Sequence, residues 1–181
     1  MNSHPPTRRN IELKARIGSL PAARAAAERI ATSRLDSERQ VDTYFGCPHG
    51  RLKLRQRDGF PAQLIWYLRP DDRQPRPSDY HLVQVDQPEP LKQALAAGLG
   101  IRVVTEKRRE IYLHHHVRIH LDQVTGLGEF LEFEAVLDQG ADELESRALI
   151  STLARHFALD PSELVDCSYS DLLIVERPWA S

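Results

Sequence analysis

Short segments in which charged and apolar residues alternate recur along this chain, and they constrain the fold more than any other feature. In residues 131–135, Glu132 and Glu134 are two positions apart, so in a strand both side chains point to one face, roughly 6.5–7 Å apart. The apolar residues between them point to the other face. Two neighbouring carboxylates repel each other unless a cation lies nearby. The segment therefore predicts a half-buried strand whose acidic face meets positive charge.

The same alternation appears in four further segments. Lys53, Arg55 and Arg57, for example, share one face of residues 52–57, and leucines occupy the other face. A solvated outer face would explain any single strand of this kind. Repetition over five strands, with basic residues dominating the central ones, favours a β-structure with a polar interior. The charged residues assigned to these faces are Glu12, Lys14, Lys53, Arg55, Arg57, Lys107, Arg109, Arg118, Asp122, Glu132 and Glu134.

The remaining patterns predict the order of strands and helices. Strands are expected at 9–17, 41–45, 52–57, 63–69, 80–85, 101–113, 117–124 and 129–137. Helices are expected at 22–31, 88–99 and 141–157, with a partly helical segment at 161–175 and an exposed loop at 70–77. The fold class is thus α+β, an antiparallel β-barrel of about eight strands that is closed or nearly closed; a closed eight-stranded antiparallel β-barrel with helices packed outside is the first expectation.

Size and composition limit the functional classes. A chain of 181 residues forms one domain, here 8–175, between a disordered leader at 1–7 and a C-terminal tail at 176–181. The net charge of -2 gives no overall attraction to a nucleic acid polymer or an acidic membrane. The two cysteines have no metal-binding spacing and indicate reduced thiols in a cytoplasmic protein. No apolar run long enough to span a membrane is present.

A basic interior of this kind would bind a polyanion. Arginine guanidinium groups fit phosphate oxygens with two hydrogen bonds, and carboxylates beside them are ligands for a hard divalent cation, Mg²⁺ or Mn²⁺. Seven basic and four acidic residues leave an excess of three positive charges on the predicted faces. That excess and one divalent ion would roughly balance a triphosphate.

Motifs along nearly the whole chain resemble the CYTH superfamily, the triphosphate tunnel metalloenzymes. The turn and the C-terminal motif are most similar to the class IV adenylate cyclase branch. The motifs are Asn10-Ile11-Glu12-Leu13-Lys14, Asp42-Thr43-Tyr44-Phe45, Leu52-Lys53-Leu54-Arg55, Lys107-Arg108-Arg109, Leu121-Asp122, Gly126-Leu127-Gly128, Leu131-Glu132-Phe133-Glu134 and Ser168-Tyr169-Ser170-Asp171-Leu172-Leu173.

The resemblance implies an eight-stranded tunnel that holds a triphosphate along its axis, and it implies a role for each matching residue. The phosphate contacts would be Lys14, Lys53, Arg55, Lys107, Arg109 and Arg118. The metal ligands would be Glu12, Asp122, Glu132 and Glu134, with Glu12 also the candidate general base. Tyr44, Arg57 and Arg69 are auxiliary candidates. A homodimer is a further expectation from the cyclase branch.

Two positions depart from the family pattern. Asn10 stands where relatives usually have Glu, which removes one negative charge from the metal site. Leu68 stands where they usually have a Lys that, with a Tyr matched here by Tyr44, orients the attacking water in hydrolytic relatives. Because successive strand residues face opposite sides, Arg69 is expected to replace that Lys only if a bulge shifts the register.

These features predict a metal-dependent enzyme that acts on a triphosphate-bearing small molecule. The first expectation is a phosphorus–oxygen lyase that converts ATP to cAMP and pyrophosphate. The alternative is a hydrolase of inorganic tripolyphosphate or of an organic triphosphate such as thiamine triphosphate. A third alternative, motivated by Asn10 and Leu68, is a module that binds polyphosphate or a nucleotide without turnover.

Overall fold

The computed structural model describes residues 8–137 and 142–176, which form eight strands and four α-helices. The strands are β1 (Arg8–Arg16), β2 (Ser33–Phe45), β3 (Arg51–Arg57), β4 (Phe60–Leu68), β5 (Arg76–Val85), β6 (Ile101–His114), β7 (Val117–Val124) and β8 (Gly128–Leu137). The helices are α1 (Leu20–Ile30), α2 (Pro88–Leu99), α3 (Glu143–His156) and α4 (Tyr169–Glu176), with a 3₁₀ turn at Pro161–Glu163. The predicted leader and, apart from Glu176, the predicted tail lie outside the described residues.

The eight strands close into an antiparallel barrel in the order β1-β5-β4-β3-β2-β6-β7-β8. Each strand pairs with two neighbours, so closure satisfies the backbone hydrogen-bonding groups that an open sheet edge would expose. The prediction of a closed eight-stranded antiparallel barrel with helices outside it is confirmed.

The largest apolar core lies outside the barrel wall, under α1 and α3. Outward-facing residues of the wall, such as Ile119 and Phe133, pack against Ala27 of α1 and against Ile150 and Leu153 of α3. The alternating residues of the same strands point into the barrel and are mostly polar or charged. Because side chains alternate along each strand, apolar side chains are buried outside the barrel wall, and polar or charged side chains line the interior.

Two strands begin earlier than the sequence patterns predict. Residues 33–40 of β2 are nearly all polar and show no clear alternation, yet they form a strand because β6 supplies a long partner, with a register shift between Leu35 and Glu38. β5 begins at Arg76, inside the predicted loop at 70–77, and Pro77 lies opposite Ile11 of β1.

The turn between β7 and β8 helps to place the C-terminal helix. Gly126 and Gly128 have φ angles of 82° and 95°, in a region that residues with a Cβ rarely occupy. Leu127 between them packs in a cluster with Phe130 and with Tyr169 of α4. Among the helices of the described residues, we find none of the length and apolarity needed to cross a membrane.

Candidate active site

Inward-facing side chains from all eight strands line a cavity of about 410 Å³. Of the thirteen predicted site residues, twelve contribute to this lining. They are Glu12, Lys14, Tyr44, Lys53, Arg55, Arg57, Arg69, Lys107, Arg109, Arg118, Glu132 and Glu134.

The lining is strongly basic. Its nine basic residues are Arg8, Lys14, Lys53, Arg55, Arg57, Arg69, Lys107, Arg109 and Arg118, and its five acidic residues are Glu12, Glu38, Asp42, Glu132 and Glu134. Nine against five leaves a formal excess of four positive charges, similar to the roughly four negative charges of a triphosphate monoester. The charge of the cavity therefore suits a ligand of that class.

Asp42 fixes two of the basic side chains, and the sequence patterns gave it no role. Its carboxylate accepts hydrogen bonds from Nζ of Lys53 at 2.9 Å and from Nε and Nη2 of Arg55 at 2.9 and 3.0 Å. Burial alone would raise the pKa of Asp42, but Arg55 and Lys53 hold it well below its usual range. Its position opposite Arg55 across β2 and β3 would have identified the contact, had the strand register been known.

Asp122 holds a second pair of basic side chains in the same way, on β7, which is separated from β2 by β6. It is fully buried and accepts hydrogen bonds from Lys107 at 3.1 Å, from Arg109 at 2.6 Å twice, and from the Tyr169 hydroxyl at 2.9 Å. Burial opposes ionisation, but Arg109 and Lys107 lower the pKa of this carboxyl. Asp122 is not among the residues that line the cavity within the described ranges, which sets it apart from the other predicted metal ligands.

The other predicted acidic ligands meet where β1 pairs with β8. Glu12 lies directly opposite Glu134, and Lys14 lies opposite Glu132. Glu132 is within 3.5 Å of Lys14 and 3.2 Å of Arg109, and these cations lower its pKa although burial opposes the shift. Glu134 accepts a hydrogen bond from Nδ2 of Asn10 at 2.6 Å. Protein cations offset the repulsion in this cross-strand pair, with Arg69 beside Glu12 and Arg118 beside Glu134. The pair is a candidate metal site because its carboxylate oxygens are ligands that a divalent cation prefers.

Arg69 faces into the barrel, which corrects the expectation that it needs a bulge to do so. Tyr67 and Arg69 both line the cavity, whereas Leu68 between them is 54% exposed. The described pairing of β4 with β5 runs from Ala62 to Leu68 with no register shift, so ordinary alternation carries Arg69 inward just beyond the strand. Nη1 of Arg69 donates a hydrogen bond to Oε1 of Glu12.

Tyr169 of α4 covers one end of the cavity, a contact that the sequence suggested only through the C-terminal motif. The centre of its ring lies 4.1 Å from Nζ of Lys14 and 4.9 Å from Nζ of Lys107.

His120 also lines the cavity, and the sequence patterns predicted no role for it. It is 2% exposed, its Nε2 lies 3.8 Å from Oε2 of Glu134, and burial lowers its pKa, so the imidazole is neutral.

Burial and mutual repulsion weaken proton binding at the lining lysines. Burial, together with Arg55, lowers the pKa of Lys53 to about 7. Burial, together with Arg109, lowers that of Lys107 to about 8. Burial also lowers the pKa of Lys14. The cavity therefore holds more positive charge than its own carboxylates stabilise, and an anionic ligand would relieve this imbalance.

The donors at the β1–β8 contact fit a hard divalent cation in chemical type. Glu12, Glu132 and Glu134 offer carboxylate oxygens, and Oδ1 of Asn10 is buried without a hydrogen-bond partner among the described residues. Within those same residues, no three His, Cys, Asp or Glu side chains converge on one point, because each carboxylate is turned toward a cation or an amide. The donors are thus of the right type but would have to be released before they could act together.

Comparisons with solved structures give the same barrel. A protein from Pyrococcus horikoshii has a TM-score of 0.79 and 24% identity over 90% of this chain and 98% of its own. A candidate adenylate cyclase from Vibrio parahaemolyticus has a TM-score of 0.74 and 20% identity over 93% and 99%. A candidate adenylyl cyclase from Hippeastrum, described as having a dominant triphosphatase activity, has a TM-score of 0.63 and 13% identity over 93% and 95%.

The sequence itself was compared with curated proteins and with family models. No curated protein matches it. A family model, the CYTH domain, matches residues 8–169, which is most of the chain and includes every strand of the barrel. The chain therefore belongs to the CYTH domain family.

Proposed function

We propose that this protein is a divalent-metal-dependent enzyme that acts on a triphosphate-bearing substrate held in the barrel. The observation that carries the proposal is a lining with a formal excess of four positive charges, counted with every lysine protonated, beside the cross-strand carboxylates Glu12 and Glu134. CYTH domain proteins are generally cyclases or triphosphatases that bind triphosphates and depend on a divalent metal.

Four of the basic residues form two pairs, and a buried carboxylate holds each pair in place. Asp42 orients Lys53 and Arg55, and Asp122 orients Lys107 and Arg109, so that the cations are positioned before the phosphates arrive. Preorganised charge of this kind supplies most of what phosphoryl chemistry requires from a protein. Further phosphate contacts are assigned to Lys14 and Arg118 and auxiliary ones to Arg57 and Arg69, which also line the cavity.

The metal ligands are assigned to Glu12, Glu132 and Glu134, with Oδ1 of Asn10 as a neutral donor. Asp122 is reassigned as a positioning residue, since donors from Lys107, Arg109 and Tyr169 already occupy its two oxygens. A Mg²⁺ or Mn²⁺ ion bound here would neutralise charge on the phosphate oxygens.

For the reaction itself, the leading proposal is cyclisation of ATP. The ribose 3′-oxygen attacks the α-phosphorus, the bond from that phosphorus to the bridging oxygen of the β-phosphate breaks, pyrophosphate leaves, and the 3′-hydroxyl proton passes to a base. Glu12 is the candidate base because it lines the cavity. The basic side chains hold the phosphate chain in position and stabilise charge on the leaving pyrophosphate.

Hydrolysis of a triphosphate is the second candidate, and the position of Arg69 supports it. Nζ of Lys53 lies 3.4 Å from the Tyr44 hydroxyl, and Arg69 lines the same cavity. A Tyr beside basic side chains is the arrangement that orients a water molecule in hydrolytic relatives. The inward Arg69 also removes one of the two reasons to consider a binding module without turnover.

The test is to incubate the protein with Mn²⁺ and either ATP or inorganic tripolyphosphate, and to separate the products. Formation of cAMP and pyrophosphate from ATP supports the cyclase, and release of orthophosphate from either substrate supports the hydrolase. Binding of both ligands without any product would leave only the binding module. The wild type is then compared with Glu132→Gln, which should abolish metal-dependent turnover. Full activity in this variant would refute the assignment of Glu132 as a metal ligand.

A further inference from the structure

Glu12 is held by two buried arginines before any ligand enters. Nη1 of Arg69 donates a hydrogen bond to Oε1 of Glu12, and Nη2 of Arg76 lies 3.7 Å from the same oxygen. The side chains of Arg69, Arg76 and Glu12 are 3%, 1% and 10% exposed. The carboxylate assigned to metal binding is therefore engaged by guanidinium groups in a region nearly closed to solvent.

These arginines are not satisfied by Glu12. Within the described part of the chain, Nε and Nη2 of Arg69 have no hydrogen-bond partner, and the same holds for Nε and Nη2 of Arg76. A buried donor left unpaired is unfavourable. The two unpaired donors of Arg69 would gain partners from an additional anion.

Arg69 is the arginine that an anion in the cavity can reach. It lines the cavity, whereas Arg76 lies behind it and donates through Nη1 to the backbone oxygen of Val165 at 3.1 Å. Its unpaired donors are buried, so a phosphate group can accept hydrogen bonds from them only if the guanidinium turns toward the cavity and leaves Glu12.

Release of Glu12 would bring the metal donors together. Glu12 lies opposite Glu134 across β1 and β8, and Asn10 is the next inward residue on the same strand. Glu134 is already oriented by Nδ2 of Asn10 at 2.6 Å. Glu134 also accepts a hydrogen bond from Arg118 at 3.3 Å. Glu12 is the member of this group that Arg69 holds away, so its release is one of the partner exchanges that separate the present arrangement from a metal site.

We propose that Arg69 is a gate that couples the two ligands: the triphosphate draws Arg69 away from Glu12, and Glu12 then becomes available to the metal. This inference rests on the proposed function and adds an order to it, with the triphosphate preparing the metal site. Thermodynamic linkage makes the coupling between the two ligands reciprocal, so the metal must tighten triphosphate binding by the same factor as the triphosphate tightens metal binding. Because Arg69 and Glu12 hold each other, loss of Glu12 should favour the triphosphate and loss of Arg69 should favour the metal.

The first test measures Mn²⁺ binding without triphosphate, by electron paramagnetic resonance of the free ion. Arg69→Gln is compared with Arg55→Gln, which also removes one positive charge from the lining but frees Asp42 instead of Glu12. The gate predicts that Arg69→Gln binds Mn²⁺ at least tenfold more tightly than Arg55→Gln does, a difference of about 1.4 kcal/mol. Equal gains in the two variants would mean that overall charge alone sets the affinity, and the gate would be refuted.

The second test measures tripolyphosphate binding in EDTA by calorimetry, and it stands even if Arg69→Gln does not fold. Glu12→Gln and Glu134→Gln each remove one negative charge. Glu12→Gln releases the buried Arg69, whereas Glu134→Gln releases Arg118, whose side chain is 48% exposed and whose ion pair is therefore weak. The gate predicts tighter binding by Glu12→Gln than by Glu134→Gln, by fivefold or more, and equal binding would overturn it. Failure of the proposed function would look different, because the wild-type protein would then not bind tripolyphosphate at all.

Discussion

Proton uptake on ligand binding is the quantity that best reports the state of the lining lysines. With pKa values of about 7 and about 8, Lys53 is roughly one tenth protonated and Lys107 roughly half protonated at pH 8. A triphosphate in contact with both ammonium groups favours their charged forms and raises both pKa values. Binding at pH 8 should therefore take up roughly 1.4 protons at these two residues.

The sign of the pH dependence follows from the same values. Because the bound state holds more protons than the free state, affinity should fall as pH rises from 7 to 9, by roughly tenfold per pH unit for each proton taken up. In the ligand-free protein, the folded state binds fewer protons than the unfolded state, whose lysines titrate near 10.5. The contribution of Lys53 to stability is thus lost as pH falls toward 7 and grows as pH rises above it.

The assay is calorimetric titration with tripolyphosphate at pH 8 in two buffers of different ionisation enthalpy. The control is the double variant Lys53→Arg, Lys107→Arg, in which both positions stay charged throughout this pH range. Protons lost by the ligand itself are common to both proteins and cancel in the comparison. A difference of about 1.4 protons supports the account; a difference near zero would show that these lysines are already charged in the free protein, and the reasoning from burial would be wrong.

Four further substitutions test the fold and the site separately. Asp122→Asn should lower the free energy of unfolding by about 3–5 kcal/mol, measured in urea, because it leaves buried cations without their counter-charge; a loss below 1 kcal/mol would contradict this buttressing role. Ile150→Ala should lower the free energy of unfolding by about 2–5 kcal/mol, because it leaves a cavity in the outer core, and it should leave tripolyphosphate affinity unchanged. Weaker tripolyphosphate binding in this variant would argue against the separation of core and cavity. Leu68→Ala should change the free energy of unfolding by less than about 0.5 kcal/mol and leave tripolyphosphate binding intact, because Leu68 is exposed. Arg69→Gln should weaken tripolyphosphate binding in calorimetry, because Arg69 lines the cavity. The reverse pattern would mean that Leu68, and not Arg69, faces into the barrel.

The barrel was predictable because strand alternation is a local property of the sequence. Glu132 and Glu134 had to share a face, and Leu131 and Phe133 had to share the other, whichever strands lay beside them. The structure places the acidic pair inside and the apolar pair in buried clusters or cores outside. Repetition of this pattern over several strands was enough to predict a closed or nearly closed barrel and most of the charged residues that line its cavity.

Contacts that depend on strand register could not be derived in the same way. The partner of Asp42 is set by the alignment of β2 with β3. The contact between Glu12 and Arg69 joins β1 to the residue that follows β4, and β5 lies between these two strands. Residues 33–40 lack a hydrophobic pattern of their own and become a strand only through pairing with β6. In each case the deciding interaction is between segments distant in sequence.

The most direct test of the central claim is whether tripolyphosphate binds in the barrel as a 1:1 ligand. Calorimetry in EDTA should give one site per chain, and Arg55→Gln should weaken it by tenfold or more, because it removes a cavity guanidinium that Asp42 holds in place. The matched surface control is Arg39→Gln, whose ion pair with Glu106 lies on the exposed face and whose binding should equal that of the wild type. Absence of binding, or equal affinity in Arg55→Gln and the wild type, would contradict the account.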